Sequence, residues 1–353
     1  MLGVGAWLAG VAVVVVILQL LGVDVIGWLE DLWHQIKAVP AKHIVVGLVF
    51  QTVQTIFAGL SYYGILAAAY PGEVTIAPIV TAYAVGVAMN DFLPANIGTF
   101  VTLMMFIALI PSCTFGGSVA AYLVQKIFFT IAGTFIYLYL FLSVPGSFDL
   151  NLGNLSEHPA ASILIAVGAS VLIVAVARVF WRQVKKLWAQ AKQGGVILSQ
   201  PGRYMSRVFL PSFLSYVCKY VVVGIFLAAF AIPVTFESIT WIVGSGSLAN
   251  VVSLTPGSVG ITQATNALAL DICCNVPKST AVAYSTGQQL ITSAWNILFA
   301  LLLVVIVFGW TGGKQLVSDS YVDAKEQVAK RKRRRQERKG AEKNAEALPG
   351  QEH

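Results

Sequence analysis

Charge is scarce in this chain. Asp, Glu, Lys and Arg make up 11% of its 353 residues, against about 25% in an ordinary soluble domain. Catalytic pairings are absent as well. The four histidines, His34, His43, His158 and His353, stand in loops, at the start of a span or at the terminus. None is spaced to activate a Ser or Cys nucleophile. The isolated carboxylates show no metal spacing. The four cysteines, Cys113, Cys218, Cys273 and Cys274, show none either. Adjacent Cys273 and Cys274 pair only under strain, so all four read as apolar filler. These absences exclude a hydrolase triad and a structural zinc site, and no cofactor is expected. The stretch "GVGAWLAG" is too apolar for a phosphate loop.

What is abundant is hydrocarbon: 57% hydrophobic residues and a mean hydropathy of +0.76. This composition reads as a polytopic, all-α membrane protein. About 20 apolar residues span a bilayer. On that measure, full spans are expected near 3–23, 43–69, 119–143, 161–181, 209–231 and 280–309. The first reads as a retained helix rather than a signal peptide, because it lacks a basic flank and a small-residue cleavage site. Two further apolar blocks, 76–111 and 238–271, are interrupted near their centres, and their arms are short for a crossing. Only a polar segment of 43 residues follows Trp310, so no soluble catalytic domain is expected.

The net charge of +7 is concentrated. Eleven of the 23 Lys and Arg follow Trp310, and six lie between Arg182 and Arg207. Basic residues flanking apolar spans mark the cytoplasmic side rather than a nucleic-acid surface. The loop 144–160 carries Asp149 and Glu157 without a Lys or Arg, and belongs outside. Counting crossings puts both termini in the cytoplasm. The first interrupted block then enters and leaves from the cytoplasmic side, the second from the outside.

The two interruptions share a pattern. "LPANIGT" carries Pro94, Asn96, Ile97 and Gly98; "TPGSVGI" carries Thr255, Pro256, Gly257, Ser258, Val259 and Gly260. An Asn precedes each, Asn90 and Asn250. The surrounding order also recurs: span, linker, span, broken hairpin, span. The linkers "WLEDLWHQIK" and "WRQVKKLWAQAK" both read as interfacial helices with Trp at headgroup level. The expected architecture is six full spans plus two re-entrant hairpins, arranged as an inverted repeat. Residues 1–150 and 151–310 form the halves, and 311–353 a basic, disordered cytoplasmic tail. Broken helices in inverted repeats are a common way to build a polar site at the midplane of a transporter. Ordinary loops with turn residues are the plainer alternative.

Charged groups at membrane depth are functional candidates by default. Three stand out: Asp91 near the first break, Lys126, and Lys219 in the middle of its span. Asp91 serves either as a cap for the second arm or as the partner that offsets Lys219. Lys126 lies 32 residues after Pro94, and Gln288 lies 32 after Pro256. A repeat therefore places them on equivalent walls of one cavity. The two lysines suit an anionic phosphate.

The stretches "NDFLPANIGT" and "SLTPGSVGITQA" resemble the lysylphosphatidylglycerol synthase transmembrane-region family, over about residues 1–310. The resemblance implies a bacterial or archaeal plasma-membrane protein that moves lipids or lipid-linked headgroups between leaflets. It does not imply the aminoacyl transfer of the soluble domain that some relatives carry. This chain has Thr99 and Gln263 where many relatives carry acids, and Gln125-Lys126 where many carry Glu-Arg. The expected substrate-binding set follows from the two interruptions and these positions, with anionic phospholipid as the partner. The competing reading is an accessory membrane protein that binds lipid or a partner enzyme without transporting anything.

Overall fold

The computed structural model describes residues 39–93, 96–143, 195–251, 258–309, 311–313, 315–323 and 326. The spans expected at 3–23 and 161–181, both Trp-rich linkers, and Pro94, Thr255, Pro256 and Gly257 lie outside these residues. Every regular element among them is helical. We number the helices α1 (Ala41–Ala69), α2 (Ile76–Phe92), α3 (Ile97–Leu109), α4 (Phe115–Ser143), α5 (Pro201–Ala229), α6 (Phe236–Val251), α7 (Ile261–Cys274) and α8 (Lys278–Phe308).

Four of these, α1, α4, α5 and α8, are long and apolar enough to cross a membrane. At 1.5 Å per residue, helices of 29 or 31 residues exceed the ~30 Å hydrocarbon core. The arms α2 and α3, of 17 and 13 residues, and α6 and α7, of 16 and 14, are shorter than this thickness. The expected spans near 43–69 and 280–309 match α1 and α8 closely. Helix α5 begins well before the expected 209, because its first turns carry Arg203, Ser206 and Arg207. An apolar window does not see a helix that is polar where it leaves the bilayer.

The first turns of α5 contain a π-turn at Met205–Phe209. Pro211 has no N–H to return to the Arg207 carbonyl. The ladder slips by one residue there, and the Leu210 amide bonds the Met205 carbonyl. The freed stretch lies against Gly64 of α1, where a β-carbon would collide with the Arg207 carbonyl oxygen. Farther along, the Ser212 hydroxyl donates to Ser61 at 2.9 Å, and Phe226 packs on Gly47. The two helices therefore run antiparallel along their whole length.

The interruptions are turns between antiparallel arms. Leu93 takes an extended backbone, φ −106° and ψ 137°, as the residue before a proline is driven to do. Asn96 then adopts the left-handed region at φ 55°, and α3 begins at Ile97. At the second turn, Ser258 has φ 56° and Gly260 φ 87° immediately before α7. Asn and Gly are the residue types that enter this region most readily.

The hairpins open from opposite ends of the bundle. The Glu73 carboxylate, in the α1–α2 turn, accepts from the Ser112 amide (3.1 Å) and hydroxyl (2.6 Å) in the α3–α4 turn. Those bonds hold its carboxyl below the usual range and put both ends of the first hairpin at one end of the bundle. One core cluster gathers this end: Tyr70, Ile110, Cys113, Ile197 and Val208, with Leu316 and Tyr321 packed on it. A second cluster gathers the other end, where the α6–α7 hairpin starts and finishes: Ile232, Val276 and Tyr284, with Phe230 against them. Between α6, α7 and α8 runs a buried chain of hydrogen bonds. The Ser245 hydroxyl donates to Asn266 (2.6 Å), whose amide donates to the Ser285 hydroxyl (2.8 Å).

One expectation is corrected here. Cys273 and Cys274 are not filler but are joined in a vicinal disulfide at the end of α7. The helix ends at this pair, and Asn275 caps it in the left-handed region at φ 51°. Cys113 and Cys218 are free and buried.

Candidate functional site

A cavity of about 320 Å³ lies between α1, α2, α3, α4 and α5. The first hairpin supplies Asn90 and Thr99, α4 supplies Gln125 and Lys126, and α5 supplies Lys219. Five residues singled out in the sequence therefore share one wall system, although they come from positions more than 120 apart in the chain. The hairpin positions two of them through its own turn. The Asn90 side-chain oxygen accepts the Thr99 amide and its side-chain nitrogen donates to the Thr99 hydroxyl, both at 3.3 Å. Asn90 thus takes the capping role at α3 that Asp91 was a candidate for.

Both lysines face this cavity. Lys219 is half-buried, and Lys126 is exposed at the rim. The Lys126 ammonium lies 5.0 Å from the Tyr122 ring centre and 5.5 Å from that of Phe129. These rings stand one turn away on either side and favour a cation over their faces. The two ammonium groups carry like charge on the wall of one cavity. Among the described residues neither is ion-paired to a carboxylate. Two further groups lack partners there. The Gln125 side-chain nitrogen, on a residue 2% exposed, and the Gln54 side-chain oxygen are buried without a hydrogen bond.

Asp91 is not beside Lys219. Its Oδ2 accepts from the Asn296 amide of α8 at 2.9 Å. The Asn296 oxygen in turn accepts from Gln51 of α1 at 3.1 Å. Asp91, about 100° of rotation from Asn90 on α2, turns to α8 and not to this cavity. Asn90 faces the lysines, and Asp91 joins the α1–α2–α8 interface. The expected offset of Lys219 by Asp91 is therefore not present. Asp91 is satisfied by a neutral donor, and among the described residues Lys219 has no carboxylate partner.

The remaining predicted residues have other places. Gly98 packs against α2: a β-carbon there would collide with the Gly86 carbonyl oxygen and lie 2.6 Å from the Asn90 nitrogen. Asn96 is exposed at the turn. At the second turn, Ser258 is buried, and the Gln263 oxygen accepts from the Gly260 amide at 2.6 Å. The Gln263 nitrogen donates to Gln289 at 2.8 Å. Gln288 is half-buried on α8. Neither Gln288 nor any described residue of the second turn lines the lysine cavity. Helix α8 stands between the hairpins, joined to α2 through Asn296 and to α7 through Gln289. Asn250 ends α6, and its side chain lies outside the described set. No group of three His, Cys, Asp or Glu that would hold a metal occurs among the described residues.

Against known proteins, the family described as the lysylphosphatidylglycerol synthase TM region matches residues 7–300. The chain belongs to this family. No curated protein and no solved structure matches it. Membership gives the chain a function related to membrane lipids, and the four apolar helices agree with a membrane location.

Sequence reasoning passed over several residues of this family member's cavity. Gln54, Tyr62, Tyr83, Gly86, Thr102 and Tyr122 all line it. Gln54 carried a usable signal. Together with Gln51 it places two amides one turn apart inside an apolar helix, where each needs a partner. The tyrosines gave none, because a Tyr in an apolar run reads equally well as core. Tyr62 is in fact both, with ring centres 5.3 Å from Phe106 and 5.4 Å from Tyr83.

Proposed function

We propose that this family member is a lipid transporter. It moves an anionic phospholipid, or an anionic lipid-linked headgroup, between the leaflets of a bacterial or archaeal plasma membrane. The headgroup enters the cavity between the first hairpin and α4 and α5, while the acyl chains stay in lipid. One observation carries this reading: Lys126 and Lys219 face a single cavity, and among the described residues no carboxylate is paired with either. A lysine at mid-membrane costs about 2.5–3.5 kcal/mol on insertion scales. Two of like charge on one cavity wall cost more, and a phosphate offsets both. The protein makes and breaks no bond in this scheme, so it is a carrier and not an enzyme.

Hairpins that open from opposite ends support an inverted repeat of residues 1–150 and 151–310. Arg203 and Arg207 lie at the end shared with residues 315–323, in line with a cytoplasmic C-terminus under the positive-inside rule. Reconstitution tests the reading. Vesicles containing the protein are expected to exchange a fluorescent anionic phospholipid between leaflets faster than empty vesicles, as read by quenching of the outer-leaflet label. Equal rates contradict it.

A further inference from the structure

We infer that the cavity reads a free alcohol on the headgroup as well as its phosphate, and that Gln125 and Gln54 are the residues that read it. This rests on the anionic-lipid reading above and narrows it to a chemical class. Lysine ammonium groups select for negative charge but carry little geometric information. Discrimination among anionic headgroups must come from groups with fixed direction.

The small polar side chains on the cavity wall are already committed. The Ser215 hydroxyl donates to the Gln54 carbonyl at 3.0 Å, and the Thr102 hydroxyl to the Gly98 carbonyl at 3.1 Å. Asn90 and Thr99 are bonded to each other. Two buried groups are left over, and they are of opposite kind. Among the described residues, the Gln125 Nε2 is a donor without an acceptor, and the Gln54 Oε1 an acceptor without a donor. Gln125 is 2% exposed, and a buried polar group is costly to leave unmatched.

Four headgroup chemistries can be compared against this pair. A carboxylate or a second phosphate offers acceptors, which match Gln125 and leave Gln54 unmet. An ammonium, as on an ethanolamine headgroup, offers donors only and brings positive charge to two lysines. A quaternary amine offers neither donor nor acceptor. An alcohol does both at one atom: its oxygen accepts from Gln125 Nε2 and its proton goes to Gln54 Oε1. The ligand class is therefore a phosphodiester of net negative charge bearing a neutral, hydroxylated headgroup.

The test uses the full chain in lipid nanodiscs, with bound lipid counted by native mass spectrometry. Phosphatidylglycerol carries the alcohol, phosphatidylethanol has the same charge without it, and phosphatidylcholine is zwitterionic. The wild-type protein is expected to retain phosphatidylglycerol over phosphatidylethanol by about tenfold, the scale of one buried hydrogen bond. Gln125→Met and Gln54→Met each should bring that ratio close to one and leave the preference for phosphatidylethanol over phosphatidylcholine intact. Neither variant loses a side-chain hydrogen bond at the altered group, so unfolding temperatures should stay near wild type, and either variant alone suffices. Equal retention of the two anionic lipids by the wild type overturns the inference. So does an unchanged ratio in a folded Gln variant. Equal retention of phosphatidylethanol and phosphatidylcholine instead overturns the anionic reading beneath it. Displacement of phosphatidylglycerol by millimolar soluble glycerol phosphate, with the same Gln dependence, overturns the assignment to a lipid.

Discussion

Replacing Gly98 with alanine should cost about 3 kcal/mol or more of stability, at the upper end of what overpacking does to a core. The added methyl meets backbone on two sides, the Gly86 carbonyl and the Asn90 amide nitrogen. A flexible side chain can swing away from such a collision, but backbone cannot. The arms α2 and α3 would have to separate, and separation breaks the Asn90–Thr99 bonds that hold the turn. Gly246 of α6 is the control, since a β-carbon there meets nothing within 4 Å. Thermal unfolding in detergent should show a large drop for Gly98→Ala and almost none for Gly246→Ala. Equal, small effects in both would mean that the arms do not touch as closely as described.

Lys219→Met should have the opposite profile, a large loss of transport with little loss of stability. The side chains are similar in length, and Lys219 gives up no ion pair among the described residues. Removing an intramembrane ammonium takes away an insertion cost of about 2.5–3.5 kcal/mol, so the variant should fold at least as well. What disappears is a charge-assisted contact to phosphate, worth about 1.5–3 kcal/mol. The rate for an anionic lipid should therefore fall about ten- to a hundredfold, and Lys219→Arg should keep much of it. Leaflet-resolved rates and unfolding temperatures measured on the same preparation check both halves. A Met variant that transports at the wild-type rate removes Lys219 from the mechanism. A variant that merely unfolds makes it a structural residue.

The elements legible in the sequence were those governed by local chemistry. Pro94 forces an extended Leu93, and a polar, Gly-containing stretch inside an apolar block has to be a turn, so the hairpin breaks could be placed. Lysines in apolar spans announce themselves, and both proved to face one cavity. The pairing across helices was not legible. Asn90 and Asp91 are neighbours in sequence but face different interfaces, and only the packing of α2 on α8 decides which turns inward. Gly86 looks like any glycine until Gly98 is seen across from it. The likeness of the two turns suggested one shared cavity, yet the described part of the second turn packs its Gln263 on α8 instead. Sequence likeness preserved a positive φ at Asn96 and at Ser258, and not the neighbours of the turn. Likewise, adjacency of Cys273 and Cys274 argued against a bond that the structure contains.

The central claim is that an anionic headgroup occupies the lysine cavity, and photocrosslinking from within it is the most direct test. Benzoylphenylalanine in place of Tyr122, one turn from Lys126, would be irradiated in vesicles of equal phosphatidylglycerol and phosphatidylcholine. The same group in place of Leu302, an exposed α8 residue at 54%, provides the reference. Lipid adducts would be identified by mass spectrometry. The account predicts that adducts at position 122 are enriched several-fold in the anionic lipid and that Lys219→Met abolishes the enrichment, while adducts at 302 follow the bulk composition. Adducts at 122 that mirror the bulk lipid, or enrichment that survives the loss of Lys219, would contradict it.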